Sequence, residues 1–259
     1  MDPDTLRRDF DHRLEEMGIR VKDADQLKVR GDVFDEVTLL ALYKLAHKKI
    51  FSEIGGVVAT GKEGNVFYGE RDGKGVAIKI YMMRTANFKA MTEYLDGDPR
   101  FRNVRRTRKE IIFAWTRKEF SNLKRARSAG LRVPEPYAFD RNILLMEFLG
   151  EEGVPYPQIR LVEMEDPAAV YAQVVDSMDR LYREAKLVHG DLSEFNILFS
   201  EGQAYLIDMG QAVTRDHPRA LPFLLRDIRN VNRFFSQYCE VIEDEVLLRR
   251  IAGERFEGP

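Results

Sequence analysis

His189-Gly190-Asp191-Leu192-Ser193-Glu194-Phe195-Asn196 is followed twelve positions later by Asp208-Met209-Gly210, and this H-x-D-L-x-x-x-N and D-x-G pair constrains the chain more than any other feature. A carboxylate at Asp191 can orient a hydroxyl or a water. The amide oxygen of Asn196 and the carboxylate of Asp208 can hold Mg²⁺ against nucleotide phosphates. His, Asp and Asn clustered in a loop are also common turn formers and helix caps, so the pair is weighed with the sequence upstream of it.

Upstream, Ala59-Thr60-Gly61-Lys62-Glu63-Gly64-Asn65-Val66 fits G-x-G-x-x-G-x-V with only the first Gly replaced, between strand-like runs Ile54 to Ala59 and Val66 to Gly69. Val76-Ala77-Ile78-Lys79 follows, an unaltered V-A-I-K. Glycines let backbone N–H groups approach phosphate oxygens closely, and a lysine on the next strand reaches the α and β phosphates. Four elements in this order predict an α+β, bilobal, protein-kinase-like fold with a small antiparallel-sheet N-lobe and a reduced C-lobe. A rival P-loop reading of Gly56-Val57-Val58-Ala59-Thr60-Gly61-Lys62 fails at Glu63, where the motif needs a Ser or Thr hydroxyl for Mg²⁺.

We divide the chain into an N-terminal helical extension (1–52), an N-lobe (53–148) with a flexible insertion at 84–108, and a reduced C-lobe (149–259). Residues 4–50 carry helical spacing at Leu39, Leu42, Ala46 and Ile50, and Gly55-Gly56 stop it. The stretch 84–108 has few apolar residues and the breakers Asp96-Gly97-Asp98-Pro99. A helix from Ile112 to Ala129 places Glu119 in its middle, the expected partner of Lys79, with Glu110 as second choice; a surface Glu paired with Lys118 or Lys124 is the plainer alternative. Asn142 to Leu149 reads as a buried strand passing into a connector. There Glu147 and Phe148 can meet adenine through main-chain atoms, with Met146 packing behind the base.

No run of eighteen apolar residues occurs, and Met1-Asp2-Pro3-Asp4 has neither a basic nor an apolar leader region, which predicts no membrane span and a cytoplasmic chain. A single Cys239 excludes an internal disulfide framework. The net charge of −2 conceals a basic segment, Arg100 to Lys118, with Lys124, Arg125 and Arg127 beyond it. Such a run is a solvated face in most chains and a phosphate-directed binding surface in some.

T-G-K-E-G-N-V at Thr60 to Val66, H-G-D-L-S-E-F-N at His189 to Asn196, I-D-M-G-Q at Ile207 to Gln211 and R-D-I-x-N-V-x-x-F-F from Arg226 to Phe235 together resemble the RIO family of atypical kinases, most closely its RIO1 branch. The absence of a long charged C-terminal tail is similar to archaeal members. The resemblance implies use of ATP with Mg²⁺, or Mn²⁺ in its place, and serine autophosphorylation or an ATPase cycle. It also implies a role in maturation of the small ribosomal subunit, with ribosomal RNA and protein as partners. In that family the metal-binding Asp can itself carry the phosphoryl group, which here would be Asp208. Two departures from ordinary protein kinases stand out: Gly190 replaces an Arg that pairs with a phosphorylated activation loop, and no A-P-E element follows Gly210. A kinase acting on Ser or Thr of other proteins, and a nucleotide-binding scaffold with slow turnover, remain alternatives; an intact Asp191 weighs against the scaffold.

Overall fold

Strand β1 (Arg20–Val21) and helix α1 (Glu36–His47) precede a run of three strands, β2 (Glu53–Thr60), β3 (Gly64–Arg71) and β4 (Lys74–Tyr81). The computed structural model describes residues 20–21, 35–83 and 88–253, with side chains described for 35–83 and 90–253. The expected helix over 4–50 is therefore seen only in part. Arg20–Val21 pairs as a parallel strand with Glu53–Ile54, the helix proper is α1, and 4–19 and 22–34 lie outside the described residues.

Asp35 caps α1, its Oδ1 accepting from the Thr38 N–H at 2.9 Å and from the Thr38 hydroxyl at 2.8 Å. Leu39, Leu42 and Leu45 fall on one helical face and are buried with Phe51, Ile54, Phe67, Ile78 and Ile80 in a single apolar cluster. Asn142 fastens this helix to the sheet by donating Nδ2 to the Thr38 hydroxyl (2.8 Å) and to the Tyr81 carbonyl (2.9 Å).

The sheet is completed by β5 (Pro136–Asp140) and β6 (Ile143–Glu147), in the order β1-β2-β3-β4-β6-β5, with every pairing after β1–β2 antiparallel. Asp72 and Gly73, both at positive φ, make the tight turn that joins β3 to β4. The P-loop rival is excluded locally, because Val57 and Ala59 are paired strand residues of β2.

The stretch 84–108 departs from its expected character. It contains helix α2 (Phe88–Leu95) and a 3₁₀ turn at Pro99–Phe101. Met91, Tyr94 and Leu95 share one helical face and are buried, as is Phe101. A few apolar residues at helical spacing sufficed where the mean composition suggested none. Helix α3 (Arg108–Ser128) follows, four residues longer at its start than its apolar pattern indicated.

Beyond a short hairpin of β7 (Gly150–Glu151) and β8 (Val154–Pro155), helix α4 (Pro167–Arg183) begins at an Asp166 cap, whose Oδ1 accepts from the Ala169 N–H at 2.9 Å. Then come β9 (Leu187–Val188), the hairpin β10 (Ile197–Ser200) and β11 (Gln203–Leu206), β12 (Val213–Thr214), which pairs with β9, and helices α5 (Ala220–Phe235) and α6 (Asp244–Ala252).

The described residues divide into two compact units, and the division passes within α3. The first holds the residues up to Thr92 with Asn103–Phe120 and Glu135–Pro155. The second holds Glu93–Arg102, Ser121–Pro134 and the residues from Tyr156 onward. No helix among the described residues is long and apolar enough to cross a membrane.

Candidate active site

In the first unit, β2 and β3 stay paired up to Thr60 opposite Asn65, which leaves Gly61, Lys62 and Glu63 as a tight turn. The Gly61 N–H donates to the Gly64 carbonyl at 2.9 Å, and the Glu63 carbonyl accepts from the Met82 N–H at 2.9 Å. Gly64 is required by its packing, since a Cβ there would lie 2.4 Å from the Ile80 carbonyl oxygen. Thr60, Gly61 and Lys62 are exposed, Glu63 and Val66 half-buried, and Asn65 buried. The turn thus presents exposed backbone and a lysine, as a phosphate-covering loop must.

Lys79 sits on β4 opposite Val66 of β3 and Leu144 of β6. Its Nζ donates to Glu119 Oε1 at 2.8 Å, with Glu119 fully buried in α3. The second carboxylate oxygen of Glu119 accepts from the Tyr81 hydroxyl. Glu110 lies exposed in the first turn of the same helix. The α3 helix thus brings Glu119, of the two acids considered, to Lys79.

At the end of β6, Met146 is half-buried and pairs with Ala77. The Glu147 N–H donates to the Glu135 carbonyl at 2.8 Å, and the Glu147 carboxylate accepts from the Glu135 N–H at 3.1 Å. Any main-chain contact of Glu147 with a base would therefore come from its carbonyl. Phe148 is buried, edge-on to Tyr68 with ring centroids 5.0 Å apart.

In the second unit, β9 leads directly into the catalytic-type loop. His189 is buried, one ring nitrogen 3.0 Å from the Ile207 carbonyl and the other accepting from the Asp191 N–H at 3.4 Å. Gly190 has φ of +79°, and a Cβ there would approach the Gln211 carbonyl to 3.1 Å. An Arg at this position would be strained in its backbone before any question of a partner arose.

Asp227 of α5, which the motif reading did not single out as a site residue, holds this loop. Its Oδ2 accepts from the Gly190 N–H at 2.7 Å and its Oδ1 from the Leu192 N–H at 2.9 Å. Burial pushes its pKa up to about 7, against the two N–H groups and the neighbouring Arg226, which pull it down. Asn230 of the same helix donates to the Leu192 carbonyl at 3.1 Å, and Arg226 donates to the Gly190 carbonyl. A sequence signal existed: Asp227 stands beside Leu224, Ile228 and Val231, on the apolar face of an amphipathic helix, where a carboxylate needs a partner.

Asn196 Nδ2 donates to the Asp191 carbonyl at 2.8 Å, with a longer contact of 3.4 Å to Asp191 Oδ2. Its amide hydrogens are thereby committed, and Oδ1 is the atom that could meet a cation. Gln211 Nε2 donates to Asp191 Oδ2 at 3.1 Å, a second contact the motif reading missed. Asp191 is raised above the ordinary carboxylate range, first by burial and then by the charge of Asp208; Arg226 and the Asn196 amide oppose the shift. The β10–β11 hairpin delivers Asp208, which is exposed and has φ of +60°. Left-handed backbone at a non-glycine residue is uncommon and concentrates at functional positions. Behind it, buried Asn122 donates to the carbonyls of Met209 (2.9 Å) and Ala212 (2.8 Å), fixing the segment after the carboxylate. One carboxylate oxygen and one amide oxygen are hard donors of the sort Mg²⁺ takes when nucleotide phosphates and water complete its shell, so Asp208 and Asn196 fit that ion.

A sequence profile of the RIO domain matches residues 65–247. The RIO-type serine/threonine-protein kinase Rio1 of Haloferax volcanii is 43% identical over 98% of this chain and 88% of its own length. Rio1 of Methanocaldococcus jannaschii is 37% identical over 90% of this chain and 80% of its own. The human serine/threonine-protein kinase RIO1 is 39% identical over 86% of this chain, which spans only 40% of that protein. Among solved structures, Rio2 kinase of Chaetomium thermophilum superposes with a TM-score of 0.65 in a complex described as ADP/Mg²⁺-phosphoaspartate, at 24% identity over 84% of this chain and 67% of that one. Another crystal structure of the same Rio2 kinase gives 0.62 at 25% identity. These likenesses establish the kinase-like α+β fold, and with the matched profile they show that the chain belongs to the RIO family of atypical serine/threonine kinases, among its Rio1-type members.

Proposed function

We propose that this chain binds ATP with Mg²⁺ and transfers the γ-phosphoryl group to itself, at a Ser or Thr hydroxyl or at Asp208, or to water, as a cytoplasmic factor in small ribosomal subunit maturation. The observation that carries the catalytic part is the setting of Asp191: half-buried, held by Asn196 and Gln211 on a loop pinned by Asp227, next to Asp208. Asp191 takes the proton of the attacking hydroxyl or water as the bond to the γ-phosphorus forms and ADP leaves. Lys79, held by Glu119, meets the α and β phosphates. The turn Thr60–Val66 covers the phosphates, and the Met146–Phe148 connector takes the base. Asn196 and Asp208 would hold the cation, which when bound neutralises charge on the phosphates.

The Rio2 complex carries ADP, Mg²⁺ and a phosphoaspartate, which makes Asp208 the acceptor to test first. Single-turnover reaction with γ-labelled ATP should yield a hydroxylamine-labile label on the wild type that disappears in Asp208→Asn. A label stable to hydroxylamine and to alkali, appearing on an added protein, would overturn self-transfer and favour a conventional protein kinase. Among hydroxyl acceptors, Thr85 lies outside the described residues, whereas Thr107 is exposed and Thr92 half-buried.

Lys62, exposed on the glycine turn, supplies the cation that most protein kinases place at the position of Ser193. Lys62→Ala is expected to lower the single-turnover rate by about tenfold or more while changing nucleotide affinity much less, as for a contact made mainly in the transition state. An unchanged rate would remove Lys62 from the mechanism.

For ribosomal RNA, the basic segment supports phosphate-directed contact through Arg102, Arg105, Arg106, Arg108 and Lys109, all exposed. Its ends do not contribute: Lys118 is fully buried with its Nζ 4.8 Å from the Trp115 ring centroid, and Arg100 is paired with Asp98 at 2.7 Å.

A further inference from the structure

The C-terminal turns of α3 carry Ser121, Lys124, Arg125 and Ser128 at i, i+3, i+4 and i+7, one face of the helix. With Ala129, Glu184 and Ala185 they line a recess of about 470 Å³ lying wholly within the second unit. None of these residues takes part in the site described above.

The charges around the recess are unbalanced. Asp98 is taken by Arg100, which reaches its two oxygens at 2.7–3.1 Å. Glu184 lies 3.5 Å from Arg180, which also donates to the Ala129 carbonyl at 2.5 Å and so covers part of the negative end of the helix. Lys124 and Arg125 remain. Arg125 is half-buried, and its guanidinium makes no hydrogen bond or ion pair with any described residue. Its pKa is lowered, first by burial and then by Arg100, with Asp98 and Asp216 only partly offsetting this. A half-buried guanidinium that has no partner among the described residues, and whose charge is disfavoured by burial and by Arg100, is stabilised by an anion that meets it. The hydroxyls of Ser121 and Ser128 flank it, Ser121 accepting from Arg100 at 3.4 Å and Ser128 donating to the Lys124 carbonyl at 2.9 Å.

We propose that this recess binds a small phosphomonoester, with Arg125 and Lys124 meeting the phosphate oxygens and the two serines at its edge. Two cations match a dianion of charge about −1.5 to −2 at neutral pH better than a phosphodiester carrying one charge. A planar fork beside an ammonium is a common way to seat a phosphate. The recess is a shallow, open depression whose volume falls within the roughly 300–1,000 Å³ of small-ligand sites.

The test is calorimetric titration of the full chain, saturated with Mg²⁺ and a non-hydrolysable ATP analogue so that the nucleotide site is filled, with inorganic phosphate, phosphoserine and uridine monophosphate. One site should be seen for inorganic phosphate, weakened about tenfold or more in Arg125→Gln and several-fold in Lys124→Gln. Tighter binding of phosphoserine would identify a phosphorylated protein segment as the source. Tighter binding of uridine monophosphate would identify a nucleotide; either supports the site. Should Arg125→Gln fail to fold, Ser128→Glu, an exposed position, is expected to abolish the same binding by charge. Equal binding by wild type and variants, no binding to the nucleotide-loaded chain, or binding of a 12-nucleotide RNA without a terminal phosphate where the monoesters do not bind, would each overturn the proposal.

Discussion

Asp191→Ala is expected to slow single-turnover phosphoryl transfer by about 10²–10⁴-fold, the range for removal of a positioned general base, while nucleotide affinity stays within about threefold. The separation follows from the contacts. Asp191 touches Asn196 and Gln211 and faces Asp208, whereas the groups assigned to phosphate and base lie on β2–β4 and β6. Its pKa, raised by burial and by Asp208, makes it a better proton acceptor than a solvated carboxylate. Rapid-quench measurement of the transfer step beside equilibrium binding of a fluorescent nucleotide separates the two quantities. Loss of both in parallel would mean that Asp191 holds the nucleotide and does not act on the acceptor.

The second large effect belongs to Asp227→Ala. It strips two buried N–H groups, those of Gly190 and Leu192, of their acceptor, and each orphaned group costs roughly 1–3 kcal/mol, so destabilisation of about 2–6 kcal/mol is expected. Activity should fall as well, because the loop carrying Asp191 loses its anchor. The titration gives an independent signature. Folding raises this carboxyl to about 7 from the ordinary value of 3.8. Between those values the folded state keeps a proton that the unfolded chain has released, so the contribution of Asp227 is full below about pH 4 and declines as pH rises toward 7, by on the order of 1 kcal/mol per pH unit. Asp227→Asn is neutral throughout. Urea unfolding of both proteins should therefore show the advantage of wild type over Asp227→Asn shrinking from pH 5 to pH 7.5. An advantage that grows over that interval would mean that the carboxylate form is the one the folded loop prefers.

Much of the candidate site's geometry could be read from residue types at fixed spacings, because motifs such as V-A-I-K and H-x-D-L-x-x-x-N imply a strand and a loop along with the chemistry proposed for them. Lys79, Asp191, Asn196 and Asp208 are local in that sense. The residues that hold them were less legible, since their partners are remote: Asp227 meets Gly190 across thirty-seven positions and Asn122 meets Met209 across eighty-seven. Nothing in the vicinity of either residue names that partner. Only the misfit of a polar side chain on an apolar helix face hints that one exists. The helix within 84–108 is hard to see in the sequence for a related reason. Its mean polarity concealed Met91, Tyr94 and Leu95, three apolar residues whose spacing mattered more than their number.

The Tyr81 hydroxyl on Glu119 has a pharmacological consequence. Both carboxylate oxygens of Glu119 are engaged inside the fold, one by Lys79 and one by Tyr81. In kinases that are controlled by moving this helix, the lysine–glutamate pair is made and broken as the switch. Drawing α3 away here would strand a buried carboxylate, a lysine and a phenol together, a cost of several kcal/mol. Inhibitors that work by wedging the helix outward should therefore find little purchase on this chain, and selective compounds would have to be built on the Met146–Phe148 connector proposed to take the base.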